Sequence, residues 1–202
     1  LVRPYHRQPR RQSKNKRSLS PMNKFELSQD QRSAADSIIE FVRSKKSIFT
    51  MGGYAGTGKT VTISSAVFEL RKIKDYENLK IAFCCFTGKA SIVLKEKLEK
   101  VEAITSGDYC GTIHSLIYKP KLDENDRVIG WFKVNTISYD LIVIDEASMI
   151  GDTIFEDLSS YRIPIIAVGD HGQLPPIASK YNLMENPMVR LERIHRQAEG
   201  NP

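Results

Sequence analysis

Short apolar runs alternate along the chain with segments of helical periodicity. The runs KSIFTMGG, LKIAFCCFT, DLIVID and IPIIAVGD are nearly continuous in apolar residues, which is typical of strands buried on both faces. Helices are expected from Ser28 onward and at residues 60–73, 88–101 and 151–161. Strands that alternate with helices in this way predict an α/β fold, a mostly parallel sheet with helices on both faces.

The helices carry enough detail to predict their inward sides. The first repeats apolar residues at helical spacing, at Ala34, Ala35, Ile38, Ile39, Phe41 and Val42. Ser28 followed by Gln31 is a capping-box pattern, so this helix is expected to begin there. In the helix at 88–101 the expected inward residues are Val93, Leu94, Leu98 and Val101.

A polar tetrapeptide, DEND, separates two mixed runs within residues 115–139. Turn residues between two such runs predict a small β-hairpin insertion. Trp131 and Phe132 in this insertion have two interpretations. They anchor the hairpin to the body of the domain, or they stack on a base of a nucleic acid.

Charge is unevenly distributed along the chain. Seven of the 30 basic residues and none of the 24 acidic ones lie within residues 1–21, so the remainder is close to neutral and the net charge of +6 belongs to this tail. We expect residues 1–22 to be a disordered basic tail. The tail is either an upstream or appended segment, with Met22 as the natural start, or a non-specific contact to a nucleic-acid backbone.

The three cysteines, Cys84, Cys85 and Cys110, lack metal-ligand spacing. Because two of them lie in an apolar run, buried free thiols in a reducing compartment are expected. No apolar stretch reaches membrane-spanning length, and no apolar segment follows the basic N-terminus as in a secretory signal. A cytoplasmic protein that is not secreted is expected.

Residues 53–60, GYAGTGKT, match the phosphate-binding pattern G-x-x-x-x-G-K-[ST]. Glycines allow the sharp turn that directs successive N–H groups at a phosphate, and the following helix presents its positive N-terminus. Lys59 supplies a charge for the β- and γ-phosphates, and the Thr60 hydroxyl can ligate Mg²⁺. The expected ATP-binding residues of this loop are Gly53, Ala55, Gly56, Thr57, Gly58, Lys59 and Thr60.

An acidic pair follows the apolar run LIVI. Asp145 is placed to hold Mg²⁺ through a water, and Glu146 to act as general base for the attacking water. Acidic residues often simply end a strand, but the phosphate-binding loop upstream favours the catalytic interpretation.

Six motifs occur in a fixed order: GYAGTGKT, FTGKAS, GTIHSL, VIDEAS, VGDHGQLPPI and LERIHRQ. Together they resemble the motifs of superfamily 1 helicases, and GDHGQLPP is similar to the RecD/Dda-like B branch of that family. The resemblance covers residues 26–200. It implies a RecA-like P-loop NTPase domain, ATP and Mg²⁺ as cofactors, and hydrolysis coupled to 5′ to 3′ movement on single-stranded DNA.

The resemblance also implies roles for three residues around the nucleotide. Gln31 reads the adenine edge, although the capping box is an alternative use of its amide and both can hold in part. Gln173 senses the γ-phosphate, the alternative being an incidental glutamine in a Gly/Pro-rich turn. Arg196 meets the γ-phosphate from the second motor domain and offsets transition-state charge. His195 precedes it where the family more often has an aromatic residue.

Two motifs imply contacts to the single-strand backbone. By resemblance, FTGKAS contributes Thr87, Gly88 and Lys89, and GTIHSL contributes Thr112 and His114. Hydroxyls, backbone N–H groups and helix N-termini are suitable phosphate ligands. For His114, a packed or solvated side chain is the equal alternative.

The motifs also suggest a domain organisation. Residues 23–190 form the motor domain with its hairpin at 115–139, and residues 191–202 begin a second motor domain that the remaining length cannot supply. The chain is therefore expected to be a fragment that binds ATP–Mg²⁺ and hydrolyses it weakly, in a bacterial or phage-infected cell, with replication or recombination proteins as possible partners. The alternatives are a RecD-type subunit of a nuclease complex, a non-helicase P-loop ATPase, and a binding module whose loop is only structural.

Overall fold

A computed structural model describes residues 26–173 and 182–194 of the chain. Its strands are β1 (Ile48–Gly53), β2 (Ile81–Cys85), β3 (Tyr109–Thr112), β4 (Tyr118–Leu122), β5 (Val128–Lys133), β6 (Leu141–Ile144), β7 (Ile165–Gly169) and β8 (Val189–Leu191). Its helices are α1 (Gln29–Arg43), α2 (Lys59–Leu70), α3 (Gly88–Lys100), α4 (Ile113–Ile117) and α5 (Asp152–Ser159), with a 3₁₀ turn at Ala147–Met149. Strands β4 and β5 form a separate antiparallel pair.

The other six strands form one parallel sheet in the order β3-β2-β6-β7-β1-β8. Strands β1, β7 and β6 are therefore neighbours, and the phosphate-binding loop, the GDHGQ segment and the acidic pair follow their carboxyl ends. Strand β2 lies on the other side of β6, with β3 beyond it. In open parallel sheets this edge is where ligands bind.

Each face of the sheet packs against its own layer of helices. Along β2, Phe83 packs with the core cluster under α1, α2 and α3, whereas Ala82 and Cys84 pack with the cluster under α4 and α5. Side chains alternate in this way because successive residues of a strand point to opposite faces. The prediction of a mostly parallel sheet with helices on both faces is confirmed.

The structure differs from the sequence-based prediction in several elements. Strands β3 and β8 and helix α4 were not predicted, and α2 ends at Leu70 rather than at residue 73. The prediction that Val93 faces inward was wrong, because its side chain is 43% exposed. Leu94, Leu98 and the partly buried Val101 lie on one stripe of α3, and Val93 is rotated about 100° away from it.

The start of α1 follows its capping box. Ser28 is the N-cap, its hydroxyl accepts a hydrogen bond from the Gln31 N–H, and the Gln31 amide oxygen accepts one from the Ser28 N–H at 3.0 Å. Two otherwise unpaired helix N–H groups are satisfied in this way. The predicted start of α1 is confirmed.

A buried carboxylate joins three parts of the chain at the amino-terminal ends of β2 and β3. The Asp108 side chain is fully buried and accepts hydrogen bonds from Arg71 at 2.7 Å, from the Ile81 N–H at 2.9 Å and from the Thr105 N–H at 2.7 Å. Arg71 also donates to the carbonyl oxygens of Ala103 and Leu79. The end of α2 is thereby tied to the segments that lead into β2 and β3.

Strands β4 and β5 form the expected hairpin. The Asp123 carboxylate accepts hydrogen bonds from the N–H groups of Asn125 and Arg127, which closes the DEND turn, and Asp126 takes a positive φ of 59°. The register pairs Tyr118 with Lys133 and Pro120 with Trp131.

The cysteines are free thiols, as expected. Cys84 and Cys85 are buried in β2 and Cys110 is half-buried in β3. Burial raises the pKa of each thiol. Among the helices that the structure describes, none combines the length and apolarity needed to cross a membrane.

Candidate nucleotide and nucleic-acid site

The phosphate-binding loop is held by contacts to its own carbonyl groups. The Lys59 ammonium donates hydrogen bonds to the carbonyl oxygens of Gly53, at 2.6 Å, and Tyr54, at 3.0 Å. The Thr57 hydroxyl donates to the same Tyr54 oxygen at 2.9 Å. Gly56 and Gly58 have φ of 85° and 82°, a region that side-chain-bearing residues rarely adopt. The loop is thus prepared to turn its N–H groups toward an anion.

Gln31 connects helix α1 to this loop by a hydrogen bond. Its amide nitrogen donates to the Thr57 carbonyl at 3.0 Å, in addition to the capping-box contact through its oxygen. A β-carbon at Gly58 would overlap with the Gln31 Nε2 atom. In the structure Gln31 therefore links α1 to the loop, and its contact with adenine stays a prediction.

The acidic pair lies two strands away across the sheet edge. The Asp145 N–H donates to the Cys84 carbonyl at 2.9 Å, and the Asp145 carboxylate accepts from the Glu146 N–H at 3.0 Å. Glu146 has the left-handed φ of 58° and an exposed carboxylate. Such backbone conformations cost energy and occur often at functional sites.

The segment after β7 contacts both the phosphate-binding loop and the acidic segment. The Ser148 hydroxyl donates a hydrogen bond of 2.6 Å to the Gln173 amide oxygen, which fixes the Gln173 side chain relative to the acidic segment. The Tyr54 ring packs against the His171 ring with centroids 4.6 Å apart. Ser148 was not predicted as a site residue, because only its position in space relates it to Gln173.

These three strand ends surround one cleft of about 550 Å³. Its lining includes the predicted residues Ala55, Gly56, Gly58, Lys59, Thr60, Asp145, Glu146 and Gln173, together with Asp170 and Lys97. Gly53 and Thr57 belong to the loop but not to this lining, and Thr57 is fully buried. Like Ser148, Lys97 was not predicted from the sequence, since it belongs to α3 and to none of the six motifs.

The charges in the cleft influence one another. Burial lowers the pKa of Lys59, and the Asp145 and Asp170 carboxylates oppose this shift. Burial likewise raises the pKa of Asp145, opposed first by the Glu146 N–H and then by Lys59 and Lys97. Desolvation therefore disfavours the charged forms of Lys59 and Asp145, and the attraction between the two opposite charges stabilises them.

The residues of the cleft fit a nucleoside triphosphate and a magnesium ion. The two left-handed glycines and the start of α2 provide backbone N–H groups for phosphates. The Thr60 hydroxyl and the Asp145 carboxylate line the same cleft and are oxygen donors, which Mg²⁺ prefers. Thr60 and Asp145 are the residues that would hold the metal.

The residues expected to contact DNA follow the neighbouring strands β2 and β3. Thr87 caps α3 by accepting the Ala90 N–H at 3.2 Å, and Gly88 and Lys89 are exposed in its first turn. The Thr112 hydroxyl accepts the Ser115 N–H at 3.1 Å. The structure therefore places these residues on the same edge of the sheet as the nucleotide cleft. A second cleft of about 270 Å³ contains Thr87, Lys89, Val93, Lys97, Asp145 and Glu146 in its lining.

His114 is exposed and lies between two aromatic rings. Its ring centroid is 4.5 Å from that of Tyr118 and 4.8 Å from that of Trp131, and the His114 and Trp131 rings are nearly perpendicular. Trp131 is nevertheless 56% exposed and Phe132 is 53% exposed, so neither is buried against the body. Arg196 and His195 lie outside the described residues.

Comparisons with known proteins identify a family and several relatives that this chain resembles. A family described as AAA domain matches residues 35–179. The chain is 29% identical over 184 residues to an ATP-dependent RecD2 DNA helicase of Deinococcus radiodurans, covering 87% of the chain and 22% of that protein. It is 32% identical over 143 residues to the RecBCD enzyme subunit RecD of Buchnera aphidicola subsp. Acyrthosiphon pisum, covering 65% of the chain and 23% of that protein.

A solved structure supports the fold. A crystal structure of Bacteroides sp Pif1 in complex with ADP-AlF4 superposes with a TM-score of 0.52 at 20% identity, covering 87% of the chain and 44% of the Pif1 chain. The chain spans less than a quarter of the length of the RecD2 and RecD relatives described above. The matched AAA domain, the motif order and the RecA-like sheet together place this chain in the RecD/Dda-like branch of the superfamily 1 helicases, within the AAA domain family.

Proposed function

We propose that this domain binds and hydrolyses ATP as part of a motor that moves along single-stranded DNA, 5′ to 3′, and unwinds duplex DNA. The observation that carries the proposal is the shared cleft, in which Lys59, Glu146 and Gln173 from three neighbouring strand ends line one space. This set provides a phosphate cation, a base for water and a polar sensor, the groups that phosphoryl transfer requires.

ATP bound with Mg²⁺ supplies a phosphoanhydride bond whose γ-phosphoryl group is open to attack by water. Lys59 would leave the Gly53 and Tyr54 carbonyls, which hold it in the structure, and pair with the phosphate oxygens. Glu146 would orient the attacking water and accept its proton. Gln173, held by Ser148, would detect whether the γ-phosphate is present.

The adjoining cleft supports a link between DNA and hydrolysis. Its lining combines Glu146 and Lys97, which also line the nucleotide cleft, with Thr87 and Lys89. A strand phosphate bound by Thr87, Gly88 and Lys89 would therefore lie beside the general base. Thr112 and His114, after the next strand, would continue the path along the strand backbone.

A second motor domain would complete the site. Arg196 is proposed to reach the γ-phosphate from that side, a contact worth about 10³-fold or more in rate in related phosphoryl transfers. Without that contact, we expect this domain to bind ATP–Mg²⁺ and to hydrolyse it slowly.

The test measures nucleotide-induced thermal stabilisation and ATP hydrolysis, each with and without single-stranded DNA. We expect stabilisation by ATP–Mg²⁺, slow hydrolysis and stimulation by DNA, all lost in Lys59→Ala and kept in the control Lys74→Ala. Lys74 is exposed and lies outside the cleft lining. A rate of hydrolysis that single-stranded DNA does not change would indicate a P-loop ATPase of another kind. A rate that Lys59→Ala does not reduce would contradict the assignment of Lys59 to the ATP site.

The similarity to RecD favours a second candidate function, a helicase subunit of a nuclease complex. The two candidates differ in their need for a partner. Duplex unwinding by a longer protein that contains this domain, in the absence of other subunits, would support the self-sufficient motor. Unwinding only after addition of nuclease-complex subunits would support the second candidate.

A further inference from the structure

The hairpin is attached to α5 through one carboxylate. Asp157 accepts a hydrogen bond from the Tyr118 hydroxyl and one of 2.9 Å from the Lys133 ammonium. Tyr118 and Lys133 face each other across β4 and β5 at the base of the hairpin. Asp157 therefore binds both strands at once.

Further contacts complete this joint. Lys133 also donates to the Ser160 hydroxyl at 3.0 Å, and the Tyr161 hydroxyl donates to the Val134 carbonyl at 2.6 Å. Hydrogen bonds from Tyr118 and Lys133 hold the pKa of Asp157 below its usual range. Burial and the Asp157 contact raise the pKa of Tyr118 to about 12. The ionised Asp157 carboxylate is thus stabilised by one hydroxyl donor, Tyr118, and one ammonium donor, Lys133.

Away from its base, the hairpin contacts the described part of the domain through the Trp131 ring, which packs against His114. Its outward side chains Leu122, Val128, Ile129, Trp131 and Phe132 are all exposed. An isolated two-stranded hairpin is marginally stable in water. The orientation of this hairpin on the domain therefore depends on how its base is held.

Helix α5 also leads back to the nucleotide cleft. It begins at Asp152, just after the 3₁₀ turn Ala147–Met149 that follows Glu146. Ser148 in that turn donates to Gln173. A shift of Gln173 or Glu146 on nucleotide binding would thus act on a segment that continues directly into α5. On the other side of the joint, the Tyr118 ring packs against His114.

We propose that Asp157 is a positioning residue that couples the hairpin to the nucleotide cleft, so that nucleotide binding changes the orientation of the hairpin through α5. This inference rests on the proposed function, because it requires that the cleft binds nucleotide. Asp157 lies outside the lining of both clefts, and its role is to hold Tyr118 and Lys133 on α5.

The sequence provides a reporter for this coupling. Trp131 is the single tryptophan of the chain and lies in β5 beside His114. Its emission and its anisotropy report on the hairpin without added dye. Amide hydrogen exchange in β4 and β5 reports on the same element independently.

The experiment compares the wild-type chain with Asp157→Asn and Tyr118→Phe, before and after a non-hydrolysable ATP analogue with Mg²⁺. Tyr118→Phe removes the hydroxyl and keeps the ring that packs on His114. Glu156→Gln is the matched control, since Glu156 is the exposed acid next to Asp157 on α5. Thermal stabilisation by the analogue shows in every variant whether nucleotide is bound.

We expect the analogue to change Trp131 emission in the wild type and in Glu156→Gln. In Asp157→Asn and Tyr118→Phe the hairpin amides should exchange about tenfold faster, since a hydrogen bond to a charged group is lost. Their Trp131 response should disappear while stabilisation by the analogue remains. Two outcomes would overturn this inference alone. In the first, the analogue stabilises Asp157→Asn and changes its Trp131 emission as much as in the wild type. In the second, the analogue stabilises the wild type but leaves its Trp131 emission unchanged. Absence of stabilisation in the wild type would overturn the proposed function as well.

Discussion

At the scale of single residues, the Gln31 amide occupies the space that a side chain at Gly58 would need. Gly58 has a φ of 82°, and a β-carbon there would overlap with the Gln31 amide nitrogen. The space and the backbone conformation both exclude a side chain. The loop and helix α1 are therefore closely fitted to each other, and the Gln31 hydrogen bond to the Thr57 carbonyl joins them.

Gly58→Ala should destabilise the chain by about 1–3 kcal/mol, because the positive φ is strained and Gln31 must move. For a domain of this size each 1 kcal/mol corresponds to about 2–4 °C in melting temperature. Gly88→Ala is the control, since a β-carbon at Gly88 meets nothing within 4 Å. Thermal melting of the two variants tests this, and equal melting temperatures would contradict it.

At the scale of elements, the buried carboxylate of Asp108 joins α2 to the segments before β2 and β3. Asp108→Ala should cost about 3–5 kcal/mol, because the Arg71 guanidinium loses its partner in the interior. Glu69→Gln is the comparison, since the Glu69–Lys72 pair is about half exposed and such pairs contribute about 0–1 kcal/mol. Urea denaturation of both variants measures the difference, and similar losses would show that the Asp108 network is not a structural joint.

The hairpin joint should respond to acid. The pKa of Asp157 lies below its ordinary value of 3.8, because the ionised form is bound by Tyr118 and Lys133, with Tyr161 also nearby. A lowered folded-state pKa adds stability above the ordinary value and loses it as pH falls through the folded-state pKa. Corrected for intrinsic rates, exchange of the hairpin amides should therefore accelerate below about pH 4 in the wild type. Asp157→Asn should lack this acid-dependent step, and an identical step in that variant would assign it to another group.

At the scale of the whole molecule, the nucleotide cleft and the expected DNA path meet at Lys97. Lys97 contributes to the lining of both clefts. Burial lowers the pKa of Lys59 and raises the pKa of Asp145, and the Lys97 charge adds to the first shift and opposes the second. This position allows one cation of α3 to act on phosphates in either cleft.

Lys97→Ala should weaken ATP–Mg²⁺ binding about three- to tenfold, because a partly screened cation near phosphate contributes about 1 kcal/mol. It should also reduce the stimulation of hydrolysis by single-stranded DNA. Lys100→Ala, at the exposed end of the same helix and outside both cleft linings, should leave both unchanged. Titration at low and high salt checks the result, since an electrostatic effect must shrink with added salt.

The central strands could be predicted from sequence and the sheet edges could not. Strands β2, β6 and β7 are buried on both faces, so their apolar runs are unmistakable. Strands β3 and β8 have only four and three residues with mixed burial, and nothing local distinguishes YCGT or VRL from a loop. Their pairing depends on the partner strand, which is a property of the assembled sheet.

The site was predictable where one short motif carries its chemistry. The loop around Lys59 and the pair Asp145 and Glu146 follow strand ends, and topology brings them together. Lys97 and the Ser148–Gln173 contact were missed, since they arise only when α3 and the 3₁₀ turn are packed against the cleft. The resemblance to helicases indicated which motifs belong together but not how Asp157 holds the hairpin.

The burial of the three thiols makes the molecule convenient for site-specific labelling. Two are enclosed in β2, the third is half-covered, and burial raises the pKa of all three, so little thiolate is present at neutral pH. A cysteine introduced at the exposed hairpin tip by Asn125→Cys should therefore react with a maleimide dye well before the native ones. A dye at this tip would allow the distance between the hairpin and a labelled DNA fork to be followed on single molecules, with every natural cysteine left in place.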